Sequence, residues 1–315
     1  MQAILLAASL IVINKSAHEA VLVHPTSRET LTKFSTGQGP HEVAVSPDGT
    51  RAYVSDYGAY AVFKDGSRSA PGTTITVIDL KSAKVAATWS LGEYTKPHGL
   101  AVSRDGKLVW VTTEGAKAVL ELDAATGKIR NAWKTDQDVS HMVVATGDEK
   151  KLYVANIGSG SVTVIDRAAN KVRSVKTGAG AEGIDASPDG KEIWVTNRAA
   201  NTISVIATAN DEVLASFESG GQMPIRVKLM PDGKYALVSN ARSASLTVFE
   251  VATRKLSRTV EVGAVPVGIQ ITPDGKSAYV ANTNDDKVSV IDVASWKVVG
   301  SFSPGKEPDG MAWVP

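Results

Sequence analysis

Residues 267–292 read VGIQITPDGKSAYVANTNDDKVSVID, and the fold follows from this phrase. A polar turn, TPDG at 272–275, separates one alternating run from another that ends in YVAN at 279–282. Six positions beyond Asn282 begins a third run, VSVID at 288–292. Period-two alternation, β-branched enrichment and turn residues at fixed offsets read as antiparallel strands. Working outward, the turn recurs as SPDG at 46–49 and 187–190, SRDG at 103–106, MPDG at 230–233 and, degenerate, TGDE at 146–149. The aspartates Asp48, Asp105, Asp148, Asp189, Asp232 and Asp274 stand 57, 43, 41, 43 and 42 residues apart. The same strand endings follow them: YVSD 53–56, YVAN 153–156, WVTN 194–197 and LVSN 237–240. Each unit closes on a strand anchored by one apolar residue, from Phe34 and Trp89 through to Val260 and Phe302. No segment carries a convincing helical period.

Four strands per unit of about 42 residues is the signature of a propeller blade. Six units start near residues 41, 98, 141, 182, 225 and 267. The first 40 residues hold the second to fourth strands of a further unit, with LIVIN 10–14 matching YVAN and AVLVH 20–24 matching VSVID. Its first strand is at the other end of the chain, where GMAWV 310–314 matches GLAVS 99–103. The expected fold is therefore all-β: a seven-bladed β-propeller of four-stranded antiparallel blades. The terminal strands share one blade, and residues 1–315 form a single domain. Closure removes exposed sheet edges. The longest apolar run, Ala3 to Ile13, is too short for a bilayer span and has no Lys or Arg before it. It reads as a blade strand in preference to a signal peptide.

The phrases YVAN, WVTN, VSVID and SPDGK resemble those of the YVTN-type seven-bladed β-propeller repeat proteins, over essentially the whole chain. That family's roles are diverse and include surface-layer and periplasmic binding proteins. Related seven-bladed propellers include lactonases, lyases and subunits of redox enzymes. The resemblance implies the fold and a periplasmic or secreted location; it does not choose a chemistry.

Composition narrows the chemistry. Lys+Arg is 34 and Asp+Glu is 33, a net charge of +1, so there is no field to hold a polyanion and nucleic acid is not an expected partner. There is no Cys, which excludes thiol nucleophiles, disulfides, Cys-ligated zinc and covalently attached c-type haem. GxSxG, P-loop and HExxH motifs are absent. A closed propeller has no need to oligomerise, and a monomer is expected.

The repeat positions that break consensus point to a site. The opening residue of each first strand faces the central channel, and in ring order the occupants are Asp309, His41, His98, His141, Glu182, Ile225 and Val267. Three of the chain's five histidines share this one phase. Crowded imidazoles flanked by carboxylates are what a divalent transition metal needs, with Zn, Fe, Mn, Cu and Ni all fitting. His41, His98 and His141 are the expected metal ligands. Glu182 and Asp309 are the expected proton-transfer groups, and Ile225 and Val267 an apolar wall. The loop after each second strand opens on the same face, which brings in Tyr57, Glu114, Arg198 and Arg242 as substrate contacts. Asn156, Asn197, Asn240 and Asn282 recur in that region and read as turn hydrogen-bonders. His24 stands where other blades have Asp and reads as a strand-end residue; His18 reads as an exposed connection.

One blade is longer than the rest. Asp56 and Ile75 are 19 positions apart where other blades use six, and the extra residues fall within Tyr57–Thr73. A long loop beside a site reads as a lid. The combined expectation is a metal-dependent enzyme acting on a small molecule at the channel mouth, by lyase or lactonase-like hydrolase chemistry, with metal-based oxidation a further option. The contrasting expectation is a non-catalytic cell-envelope propeller that binds a ligand, a metal or a protein.

Overall fold

The computed structural model describes residues 8–58 and 70–315. Seven four-stranded antiparallel sheets form a ring, and each inner strand touches the next until the circle closes. Blade I comprises Pro308–Val314, Ser9–Asn14, Glu19–Val23 and Thr30–Ser35, from the channel outward. Blades II to VII begin with inner strands Pro40–Val45, Pro97–Val102, Ser140–Ala145, Ala181–Ala186, Pro224–Leu229 and Pro266–Ile271. Among the described residues only two short 3-10 turns, Glu114–Ala116 and Thr283–Asp285, depart from strands and loops. The chain ends pair as expected: Leu10 opposes Trp313, Ile11 opposes Ala312 and Val12 opposes Met311.

The alternating pattern puts apolar side chains between neighbouring blades. Leu10, Val12 and Val21 of blade I, for example, pack with Tyr279, Val288 and Val290 of blade VII. The aspartate turns are tied by hydroxyls. Ser46 Oγ donates to Asp48 Oδ1 at 2.6 Å, and Thr146 to Asp148 at 2.8 Å. Gly49 there has φ +67°, and in the degenerate copy Glu149 takes the same left-handed conformation at +58°.

The recurring Asn does more than shape a turn. Asn197 Nδ2 donates to Thr202 and Ser204 of the third strand, at 3.1 and 2.9 Å. Blade II has Asp56 at this position, buried and accepting from Thr74 Oγ1, Thr76 Oγ1 and the Gly37 amide at 2.7, 2.9 and 3.0 Å. Burial pushes its carboxyl up to about 6 despite those donors.

Two outcomes are expected. Removing residues 310–315 deletes the inner strand of blade I, and burial of Met311 and Val314 alone is worth about 3–6 kcal/mol. A truncated protein with an unchanged urea midpoint would contradict the shared blade. For Asp56, the native state keeps a proton that the unfolded chain releases between pH 3.8 and about 6, so stability falls as pH rises through that window. Asp56→Asn should therefore stabilise by roughly 2–3 kcal/mol above pH 6, with the gain vanishing towards pH 4. Equal gains at pH 4 and pH 8 would refute the buried-carboxylate account.

Candidate functional site

Every inner strand carries a bulge near its start, where two residues oppose one on the second strand. Such bulges re-aim side chains. Here they turn the first bulged residue into the mouth. Hydroxyls hold the geometry: Thr112 Oγ1 accepts from the Gly99 amide at 2.8 Å and donates to the His141 carbonyl of the next blade at 2.6 Å. Thr196 does the same between Gly183 and Ile225.

The result is a tier of Asp309, His41, His98, His141, Glu182, Ile225 and Val267 around a cavity of about 90 Å³. The three imidazoles converge. Ring centroids are 5.1 Å apart for His41 and His98, and 3.6 Å apart for His98 and His141. Glu182 Oε1 lies 3.6 Å from His141 Nε2. Asp309 sits at the opposite end of the arc, paired with Lys15 at 3.0 Å.

A second tier lies above the first. The residue after each second strand's terminal polar position donates its amide to the carbonyl that precedes the inner strand of the same blade. Tyr57 N to Gly39 O, Glu114 N to Lys96 O and Arg198 N to Gly180 O are examples, at 3.2, 3.0 and 2.8 Å. This tier contains Lys15, Tyr57, Glu114, Ile157, Arg198, Ala241 and Thr283. Of the four expected substrate contacts, Tyr57, Glu114 and Arg198 stand in it. Arg242 lies one position further on, exposed and away from the cavity lining.

The tiers interlock. Tyr57 Oη donates to Glu114 Oε2 at 2.6 Å, and its ring lies 4.7 Å from that of His41. Glu114 Oε1 is 2.6 Å from His141 Nδ1. Arg198 Nη1 is 3.1 Å from Glu182 Oε2. His41 Nδ1 donates to the Gly39 carbonyl at 2.8 Å, and His18 Nδ1 accepts from the Gly39 amide at 3.0 Å. His18 is exposed yet steadies the peptide that orients His41. His98 Nδ1 is buried with no partner. His98, Glu114 and His141 bring one ligand atom each to within 4.8 Å of one another.

Burial sets the charges. It lowers His41 to about 4, helped by Lys15, and holds His98 well below the ordinary imidazole value. Both are neutral at pH 7. Burial raises the Glu182 carboxyl. It opposes ionisation of Asp309 and Glu114 too, but Lys15 keeps Asp309 below the ordinary range, and His141 with Tyr57 does so for Glu114.

Sequence reasoning missed the floor. Glu42 and Arg226, from blades II and VI, form a buried ion pair that spans the channel. They border both the mouth cavity and a second cavity of about 180 Å³ below it. The signal was one residue beyond the tier: that position is Gly99, Gly183, Gly268 and Gly310 in four blades but Glu42, Met142 and Arg226 in the others. The expected lid, Tyr57–Thr73, is described only at its base, where Gly58 pairs with Pro71. Residues 59–69, with Tyr60 and Phe63, lie outside the described residues.

Fold and mouth together define a seven-bladed β-propeller with a polar, histidine-lined channel entrance, consistent with a YVTN-type propeller. Comparison with known proteins agrees. The family model described as YNCE-like beta-propeller matches residues 120–272. The YncE protein of Escherichia coli K12 is 24% identical over 242 residues, covering 73% of this chain and 61% of that one. Antigen Lp49 of Leptospira interrogans is 25% identical over 201 residues, covering 56% and 42%. The chain thus spans 61% or less of the length of these curated relatives. Among solved structures, the Kuenenia stuttgartiensis hydrazine synthase matches with a TM-score of 0.78 at 22% identity, covering 91% of this chain and 92% of that one. The Pseudomonas aeruginosa periplasmic gluconolactonase matches with a TM-score of 0.78 at 18% identity, covering 98% and 99%. At these identities the structural likeness is one of fold alone.

The cross-channel pair yields a test. Arg226→Met leaves Glu42 buried without its partner and should cost about 3–5 kcal/mol. Adding Glu42→Gln should recover much of that loss. Additive losses in the double variant, measured by urea unfolding, would mean that the two groups do not act as a pair.

Proposed function

We propose that the chain is a metal-dependent enzyme acting on a small organic molecule at the channel mouth, by hydrolysis or elimination. The observation that carries this reading is the state of the imidazoles. His41 and His141 both commit Nδ1, to the Gly39 carbonyl and the Glu114 carboxylate, which leaves Nε2 as the remaining ligand atom of each ring. Metal-ligating histidines are commonly oriented by such outer partners. The buried, unpartnered Nδ1 of His98 adds a third imidazole in need of a partner. Neutral imidazole is the form that binds metal. The donor set suits a divalent transition ion held by His98 and His141, whose ligand atoms lie within 4.8 Å of one another and of Glu114, with His41 as the third imidazole of the arc.

A bound divalent ion would supply Lewis acidity to a carbonyl or carboxylate oxygen. The remaining steps belong to the chain's own groups. Glu182 lies beside the imidazole arc, and its carboxylate is the group best placed to take a proton from an attacking water or a substrate carbon. It would return that proton to the departing oxygen. Asp309 is held by Lys15 and serves as a fixed negative charge. Ile225 and Val267 offer an apolar wall for a carbon skeleton. The lactonase-like option and a periplasmic location draw support from the fold shared with the periplasmic gluconolactonase.

Elemental analysis of purified protein should find about one divalent metal per chain, lost in His98→Ala with the fold intact. Glu182→Gln should keep the metal and lower turnover of a lactone panel by at least about a hundredfold, the scale of general acid–base catalysis. Metal-free wild-type protein that refuses added zinc would sink the proposal and favour a non-catalytic binding propeller.

A further inference from the structure

We propose that the substrate or ligand of this mouth is a small monocarboxylate gripped by Arg198, an inference that rests on the metal-site reading above. Three observations carry it.

The first is charge. Lys15, Arg198 and Arg226 all reach the mouth, and each faces a carboxylate there: Asp309, Glu182 and Glu42. In a buried setting an unpartnered charge is costly, so an entering anion needs one of these cations as its counter-charge.

The second is access. The Lys15 and Arg226 side chains are 7% and 6% exposed, and both are locked in pairs, whereas Arg198 is 33% exposed. Among the described residues its guanidinium has one ion-pair partner, Glu182, through a single nitrogen. A guanidinium carries five N–H donors in a fixed fork. Its remaining donors are free to take a carboxylate in the two-pronged geometry that Arg favours.

The third is shape. Arg198 is on blade V, at the boundary between the polar arc and the apolar face made by Ile225 and Val267. A carboxylate at Arg198 therefore lays its carbon chain against that face, with its other end towards the imidazoles. The cavity of about 90 Å³ limits the length. A cavity of about 150 Å³ holds the six heavy atoms of benzene, so this one suits roughly three to five.

The test is calorimetric titration of zinc-loaded protein with propionate and with its uncharged analogue propionamide, alongside a zinc count on every sample. Propionate should bind at least tenfold more tightly than propionamide. Arg198→Gln should weaken propionate at least tenfold while keeping wild-type zinc content and melting, and Arg198→Lys should fall between. Unchanged propionate affinity in Arg198→Gln overturns the proposal, as does equal binding of propionate and propionamide. Should zinc fail to bind, the metal reading falls separately. The carboxylate grip then stands only if zinc-free wild type binds propionate and Arg198→Gln does not; absence of binding to zinc-free wild type overturns it.

Discussion

Crowding of seven inner strands around one narrow channel is the constraint on which the rest depends. A Cβ at Gly268 would come within 2.0 Å of the Asp309 carbonyl, and one at Gly183 within 2.4 Å of the Ile225 carbonyl. Blades I, III, V and VII answer with glycine at this position; blades II, IV and VI carry Glu42, Met142 and Arg226. Small and large thus alternate around the ring, as close-packed interiors require. An odd number of blades cannot alternate perfectly, and the two adjacent glycines fall in blades VII and I, next to the seam between the chain ends. The space released goes to the long side chains. A Cβ on Gly310 would sit 3.1 Å from Glu42 Oε2. The Glu42–Arg226 pair is therefore a product of ring packing, and it stops the channel just below the mouth.

That stopper decides the electrostatics above it. With the floor closed, the mouth tier is nearly dry: His41, His98, Glu182 and Asp309 are all at most 6% exposed. Low polarity strips the proton from two imidazoles and resists ionisation of the carboxylates, while nearby cations restore it for some. The neutral imidazoles and the mixed set of carboxylates follow from burial, and burial follows from the plugged ring.

Most of the fold was legible because duplication repeats a signal that a single strand would lose. The blade count, the shared terminal blade and the first tier all come from phase, and phase survives substitution. The second tier was harder. Counting to the Asn that ends each second strand gives Asn156 and Asn282, but those side chains turn outward to the third strand, as Asn282 does to Ser289 at 2.8 Å. The residue that follows is the one at the mouth, which is why Ala241 stands there and Arg242 does not. The floor pair was hidden for another reason. Glu42 and Arg226 are 184 residues apart and meet only because the ring closes, so no local pattern links them.

Duplication alone would place similar residues around the whole ring, with no relation between tiers. Three pairings instead tie the tiers together. Asp309 faces Lys15 in blade I, Glu182 faces Arg198 in blade V, and the blade III carboxylate Glu114 reaches the blade IV imidazole of His141. Where the lower tier turns apolar, at Ile225, the upper tier has Ala241. The two lower-tier carboxylates each have a cation above them, Lys15 for Asp309 and Arg198 for Glu182, as charges at low dielectric require. The arc from blade I to blade V is one coupled unit, with an apolar face opposite it. Such an arrangement presents one polar and one apolar wall to whatever enters the mouth.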